Sequence, residues 1–163
     1  MRVSIGSDHH GVGICLKLTD LITQMGHKVI SHGPRIEKPE PVDYPDIAGE
    51  VARDVSTGQA DRGVLICGTG IGMCIAANKF RGIRAASIVD ELTAEISRRH
   101  NDLNVLCMSG DLLSEHAAEQ IVKVWLNTPF DEGRHSRRIE KISEFENQQN
   151  TLQESSHHAP NCG

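Results

Sequence analysis

Val64-Leu65-Ile66-Cys67-Gly68-Thr69-Gly70-Ile71-Gly72 is an apolar run that ends in a cysteine and a glycine-rich loop. The apolar half predicts a buried strand, and the loop predicts entry into a helix. A helix N-terminus favours negative charge, so a thiolate at Cys67 and an anion bound beside it are both favoured there. The pattern fits chemistry on a small anionic or carbonyl substrate. It fits equally well a structural turn whose cysteine fills the core.

Short apolar strands and amphipathic helices alternate on both sides of this stretch. Strands are predicted at residues 2–6, 28–31, 64–67, 83–88 and 104–108. Helices are predicted at about 11–25, 46–56, 91–99, 113–125 and 136–148, with another through 75–77 and with Asp46 as the N-cap of the second. Such alternation predicts a three-layer, Rossmann-like α/β fold: a five-stranded, mostly parallel sheet with helices on both faces. We expect one domain over residues 1–149 and a disordered polar tail at 150–163.

The composition argues against several classes of protein. The 163 residues carry a formal net charge of -5 and no basic stripe, which argues against nucleic acid as a partner. No apolar run approaches the ~20 residues that span a bilayer, and the chain starts directly in a strand rather than in a signal peptide. Five cysteines without CxxC spacing indicate neither a disulfide scaffold nor a zinc site, so we expect a reduced, cytoplasmic protein.

Spacing tests three phosphate-binding interpretations of the glycine loop, and all three fail. A dinucleotide-binding loop needs glycine where the chain has Met73, and it would follow the first strand rather than the third. A Walker loop ends in Gly-Lys-Ser/Thr, which is missing here, and a cysteine phosphatase would need arginine in place of Met73. Proton abstraction beside a carbonyl remains, with Cys67 as the base and the amides of residues 68–72 holding enediolate oxygens. Thr69 adds a hydroxyl that can relay a proton, although a turn or cap role explains it as well.

Three further polar groups accompany the predicted elements. Asp8-His9 follows the first strand, at the sheet edge where ligands bind in such folds, although a cap or an exposed turn explains such a pair more often. His100-Asn101 closes the helix before the fifth strand, again near that edge, as a helix end favoured by the dipole or as an acid–base group. Arg134 and Arg138 are four residues apart and suit either a phosphate clamp or a solvated helix start.

Taken together, these motifs resemble the type B ribose-5-phosphate isomerases and their galactose- and allose-6-phosphate isomerase relatives. The resemblance spans residues 2 to about 148, and it rests on Gly6-Ser7-Asp8-His9, Asp43-Tyr44-Pro45, Ile66 to Gly72, Ile75 to Lys79, Arg99 to Val105 and Gly133-Arg134-His135. It implies a Rossmann-like fold and aldose–ketose isomerisation of a sugar phosphate in the pentose phosphate pathway, without metal or cofactor. It also implies a homodimer, or a tetramer, whose active sites use both subunits.

The resemblance also implies the role of each site residue. Cys67 moves a proton between C1 and C2 through a cis-enediol, Thr69 assists transfer between the oxygens, and His100 helps to open the sugar ring. Arg134 and Arg138 reach the phosphate from the partner subunit. The implied substrate-binding residues are Asp8, His9, Gly68, Thr69, Gly70, Ile71, Gly72, Asn101, Arg134 and Arg138.

One position departs from the family pattern. Relatives commonly carry an arginine that touches the substrate phosphate where this chain has Asp111. An aspartate facing a phosphate dianion would repel it, so Asp111 either points away or signals an altered substrate. We expect isomerisation of ribose 5-phosphate to ribulose 5-phosphate. The alternatives are another phosphorylated tetrose, pentose or hexose, such as allose or galactose 6-phosphate, and a non-catalytic sugar-phosphate sensor.

Overall fold

A computed structural model describes the backbone of residues 1–34 and 41–156. Eleven elements follow one another along it, and each matches a predicted strand or helix. In chain order they are β1 Arg2–Ser7, α1 Val12–Gln24, β2 Lys28–His32, α2 Tyr44–Ser56, β3 Arg62–Cys67, α3 Ile71–Ala77, β4 Ala85–Ser87, α4 Glu91–Asn101, β5 Val105–Ser109, α5 Glu115–Asn127 and α6 Arg134–Ser156.

The five strands form one sheet in the order β2-β1-β3-β5-β4, and every pairing in it is parallel. Two hydrophobic clusters cover its two faces. Val64 and Ile66 belong to the cluster with α1 and α5, whereas Leu65 and Cys67 belong to the cluster with α2 and α3. Because successive side chains of a strand point to opposite faces, burial on both faces requires the continuous apolar run seen in β3. The predicted three-layer α/β fold is therefore confirmed.

The start of α2 differs from the prediction of Asp46 as its N-cap. The helix begins at Tyr44, with Asp43 as the N-cap residue in an extended conformation and Pro45 in the first turn. Proline is well accommodated there because its missing N–H would have had no partner within the helix and its φ already suits the helix. Asp46 instead supplies a negative charge in the first turn. The earlier start brings Tyr44 to the sheet edge at which the strands end.

A buried polar network fastens α2 to the first two strands. Asp54 Oδ2 accepts a hydrogen bond of 2.8 Å from the hydroxyl of Ser4, which is fully buried, and lies 2.7 Å from His32 Nε2. The other ring nitrogen of His32 lies 3.2 Å from Glu50 Oε2. Each polar group buried here therefore has a partner, as burial requires.

We expect Asp54→Ala to lower the free energy of unfolding by about 2–4 kcal/mol, because the change strips Ser4 and His32 of their common buried acceptor. Urea unfolding followed by circular dichroism measures the loss. Asp61→Ala is the matched control, since Asp61 pairs with Arg2 at the surface at 2.8 Å and both side chains are nearly half exposed. Equal shifts of the unfolding midpoint in the two variants would show that the buried network stabilises the fold no more than the surface ion pair does.

Helix α6 belongs to a second compact unit, residues 131–163, while the sheet and α1–α5 lie in the first, residues 1–130. The helix begins at Arg134, two residues before the predicted start, so that Arg134 and Arg138 both lie in its first two turns and are exposed. Its backbone continues to Ser156, beyond the predicted start of the tail. Residues 157–163 of that tail lie outside the described residues, and the predicted domain boundary at residue 149 stays a prediction.

Candidate active site

The carboxyl ends of β1, β3 and β5 lie side by side, since these strands are neighbours in the sheet. Hydrogen bonds connect the three loops that follow these strands to one another. The N–H of Asp8 donates to the carbonyl of Ile66 at 3.1 Å, and the N–H of Gly110 donates to the carbonyl of Cys67 at 2.7 Å. The hydroxyl of Ser109 donates to the carbonyl of Gly68. The strand ends thus form a fixed platform at the edge where ligands of open α/β sheets bind.

An open cavity of about 530 Å³ lies on this platform, within the size range of small-molecule sites. Seven predicted site residues line it: Asp8, His9, Cys67, Gly68, Thr69, Ile71 and Gly72. Four residues that were not predicted as site residues line it as well: His10, Val42, Asp43 and Tyr44. The structure therefore brings the loop after β1, the loop after β3 and the start of α2 together around one space.

Cys67 combines burial with access to the cavity. Its relative exposure is only 5%, yet the residue lines the cavity wall. The N–H of Gly70 donates to Cys67 Sγ across 3.2 Å. A hydrogen bond donated to sulfur becomes stronger when the acceptor carries a negative charge. The geometry therefore suits a thiolate that works as a base.

Gly70 occupies a position beside the Cys67 sulfur that requires glycine. Its φ of +77° is left-handed, and a Cβ there would lie 2.9 Å from both the carbonyl carbon of Met108 and the hydroxyl of Ser87. Only glycine fits such a position without strain. Its N–H is engaged with Cys67, and Gly70 is not part of the cavity lining, so the role of its amide as a substrate ligand stays a prediction.

Thr69 and its neighbours form the loop wall of the cavity. The N–H of Ile71 lies within 3.4 Å of Thr69 Oγ1, a long contact that leaves the hydroxyl open to other partners. The side chain of Thr69 is also exposed to solvent at the cavity rim. The role of this hydroxyl as a proton relay between substrate oxygens stays a prediction.

His100 and Asn101 do not lie near Cys67 of the same chain. They end α4, which returns the chain to the amino end of β5, and Arg84 Nε donates to the carbonyl of Asn101 at 3.1 Å there. Cys67 pairs with Ser109 at the carboxyl end of β5. The five residues of β5 separate the two ends by roughly 15 Å. The expectation that His100-Asn101 lies near the same edge was wrong, because a helix between parallel strands carries the chain from one edge to the other.

Tyr44 is the clearest site residue that the sequence analysis left out. A Cβ on Gly72 would lie 2.7 Å from its ring, so the ring covers the glycine loop and walls one side of the cavity. The motif Asp43-Tyr44-Pro45, which is part of the family resemblance, is the sequence signal that could have identified Tyr44. The motif did not identify Tyr44 as a site residue, because the predicted N-cap placed the start of α2 after this residue.

Arg134 and Arg138 lie one helical turn apart on α6, in the second unit. Arg134 Nε donates to His135 Nε2 at 3.3 Å, and both arginine side chains are exposed. The pair keeps the spacing of a phosphate clamp. Its role at the cavity stays a prediction.

Residues 1–34 and 41–156 meet the requirements of neither a metal site nor a membrane-spanning helix. No group of three or more His, Cys, Asp or Glu side chains in these ranges has the arrangement of a metal site. In the same ranges, every helix is too short or too polar to cross a lipid bilayer.

Comparison with known proteins agrees with the geometry. The model of the ribose/galactose isomerase family matches residues 3–142. Ribose-5-phosphate isomerase B of Escherichia coli is 39% identical over 149 residues, which cover 91% of this chain and 99% of that protein. D-erythrulose-4-phosphate isomerase of Pectobacterium atrosepticum is 36% identical over 151 residues, covering 91% and 97%.

Solved structures are similar over the same extent. Ribose-5-phosphate isomerase B of Clostridium thermocellum superposes with a TM-score of 0.87 at 42% identity, covering 91% of this chain and 99% of that one. Ribose-5-phosphate isomerase B of Mycoplasma genitalium, solved with bound ribulose-5-phosphate, gives 0.85 at 39% identity, covering 90% and 96%. Sequence, fold and the thiol beside the glycine loop lead to one conclusion: the chain belongs to the ribose/galactose isomerase family.

Proposed function

We propose that this protein interconverts ribose 5-phosphate and ribulose 5-phosphate, with Cys67 as the base. The observation that carries the proposal is Cys67 at the wall of a cavity, with the Gly70 N–H donating to its Sγ at 3.2 Å. The relative from Escherichia coli is named for this reaction, and the one from Mycoplasma genitalium holds its product. A sugar-phosphate sensor would have no use for a thiol base at this place.

The chemistry follows from the position of the thiolate. Cys67 removes the proton from C2 of the open-chain aldose, and the electron pair of that bond forms the C1–C2 double bond while O1 becomes negative. Loop amides at the cavity wall stabilise the charge on O1. The proton on O2 then passes to O1, with the hydroxyl of Thr69 as the relay, and the negative charge moves to O2. The thiol returns its proton to C1 while the electron pair on O2 forms the ketone at C2.

The opposite positions of Cys67 and His100 in one chain support a homodimer with shared sites. Ring opening needs an acid–base group, and His100 of the partner subunit is the group that we assign to it. Apolar side chains on α3 and α4 are available for such an interface: Ile71, Ile75, Leu92 and Ile96 are between 40% and 65% exposed. We assign Arg134 and Arg138 of the partner subunit to the substrate phosphate.

The proposed setting is the cytoplasm. Phosphorylated pentoses are metabolites of that compartment, and Cys15, Cys67, Cys74 and Cys107 are free thiols in the structure. A working thiolate base requires the reducing conditions that keep such thiols free.

Turnover of a panel of phosphorylated aldoses in D₂O tests the proposed function. We expect interconversion of ribose and ribulose 5-phosphates, with solvent deuterium appearing at C2 of the recovered aldose, because an enediol intermediate exchanges the abstracted proton with solvent. Proton NMR measures both the conversion and the exchange. Binding without exchange would identify a sensor. A higher kcat/KM for a tetrose phosphate would indicate a substrate like that of the relative named for D-erythrulose 4-phosphate.

A further inference from the structure

Asp111 and His10 form a carboxylate–imidazole pair at the edge of the candidate active site. Asp111 Oδ1 lies 3.2 Å from His10 Nδ1, and both side chains are about half exposed. His10 lines the cavity, whereas Asp111 is not part of the lining. A carboxylate bound to one ring nitrogen of a histidine fixes the ring and directs the other nitrogen away from itself.

The backbone holds both members of the pair in place. The N–H of Asp111 donates to the carbonyl of Gly68 at 3.2 Å, and the N–H of His10 donates to Asp8 Oδ1 at 2.9 Å. Gly68 has no side chain to keep Asp111 away, since a Cβ there would lie 2.9 Å from Asp111 Oδ2. The carboxylate thus lies over the glycine loop and reaches the cavity through the imidazole.

The charges around the cavity locate the phosphate of the proposed substrate. Among the described residues that line it, His9 and His10 are the side chains able to carry a positive charge, while Asp8 and Asp43 are acidic. The two imidazole rings lie together, with centroids 4.5 Å apart. A phosphate in the part of the cavity built by this chain is best accommodated at these rings and away from the two carboxylates.

We propose that Asp111 is a positioning residue for His10, and that His10 rather than position 111 meets the phosphate end of the substrate. The inference rests on the proposed function and adds a specificity determinant to it. The carboxylate is engaged with His10 Nδ1, so that its negative charge faces the imidazole ring rather than the phosphate.

Steady-state kinetics of His10→Ala, Asp111→Ala and the double variant test the proposal. We expect His10→Ala to raise KM for ribose 5-phosphate about tenfold, and Asp111→Ala about threefold, with kcat within about twofold, because a half-exposed ionic hydrogen bond to phosphate is worth a modest factor. The double variant should be no worse than His10→Ala alone, because Asp111 acts through His10. Asp111→Asn, which keeps an acceptor, should recover part of the loss.

Glu115→Ala is the matched control. It removes one negative charge from the start of α5, where Glu115 pairs with Lys17 outside the cavity lining. We expect its KM to be unchanged. A lower KM in Asp111→Ala would show direct repulsion of the phosphate, and an Asp111→Ala effect that persists in the His10→Ala background would show independent action. Either result overturns the inference.

Calorimetric titration with inorganic phosphate separates this inference from the proposed function. The dissociation constant should rise in His10→Ala and Asp111→Ala by the factors seen in KM, and it is measurable even in a protein that does not turn over ribose 5-phosphate. Absence of turnover in the unmodified protein would therefore reject the function alone. Equal phosphate affinity in all variants would reject the role of the pair.

Discussion

Replacing Cys67 by serine is expected to reduce kcat for ribose 5-phosphate about a thousandfold while leaving substrate binding intact. Serine keeps the size of the side chain and its place beside the Gly70 N–H, but its hydroxyl does not ionise at neutral pH as a thiol does. Loss of a general base costs about 10²–10⁴ in rate. Proton exchange at C2 in D₂O should fall in parallel, because the same group performs that step.

Cys74→Ser is the matched control for the loss of a thiol. Cys74 lies on α3 outside the cavity lining, and the thiol of Cys107 lowers the pKa of Cys74 to about 7 by a hydrogen bond, against the opposing effect of burial. Its thiolate fraction therefore rises as pH increases through about 7. Alkylation experiments on Cys67 consequently need a Cys74→Ser background. Full turnover in Cys67→Ser, or an equal loss in Cys74→Ser, would remove Cys67 from the mechanism.

Mixing two inactive variants is expected to restore turnover. In a dimer with shared sites, a Cys67→Ser subunit paired with a His100→Ala subunit forms one site with both changes and one site with neither. Random assortment makes half of the dimers mixed, and half of the sites in those dimers are intact. Activity should therefore recover to about a quarter of the unmodified level, from a background at least a hundredfold lower. Subunits are exchanged by co-refolding, and turnover is measured on the mixture.

The control mixture combines Cys67→Ser with Thr69→Ala. These residues lie on the same loop of one chain, so every mixed dimer keeps a defect in each site. No recovery above that of the Thr69→Ala protein is expected. Absence of recovery in the first mixture, with mixed dimers demonstrated by mass spectrometry, would show that no active site combines Cys67 of one subunit with His100 of the other.

Much of the fold was predictable because burial imposes local patterns. A strand covered on both faces needs an unbroken apolar run, and β3 has one in Val64–Cys67. The reversal from strand to helix needs a left-handed residue, and Gly70 supplies it within the same few positions. The apolar run and the left-handed glycine are both supplied by residues a few positions apart. The sequence therefore predicts the element order, the parallel sheet and the placement of Cys67 at a strand end.

The structure alone decided which distant residues share the cavity. Asp111 and His10 are 101 positions apart, and only the adjacency of the loops after β1, β3 and β5 brings their side chains within 3.2 Å. His100 precedes β5 by a few residues, yet it lies at the opposite edge from Cys67. The sequence by itself determined the strands, the helices and the thiol beside a glycine turn, because each depends on residues a few positions apart. Tertiary structure decided the His10–Asp111 pair, the wall formed by Tyr44 and the distance of His100, because packing fixes distances between segments that local periodicity does not encode.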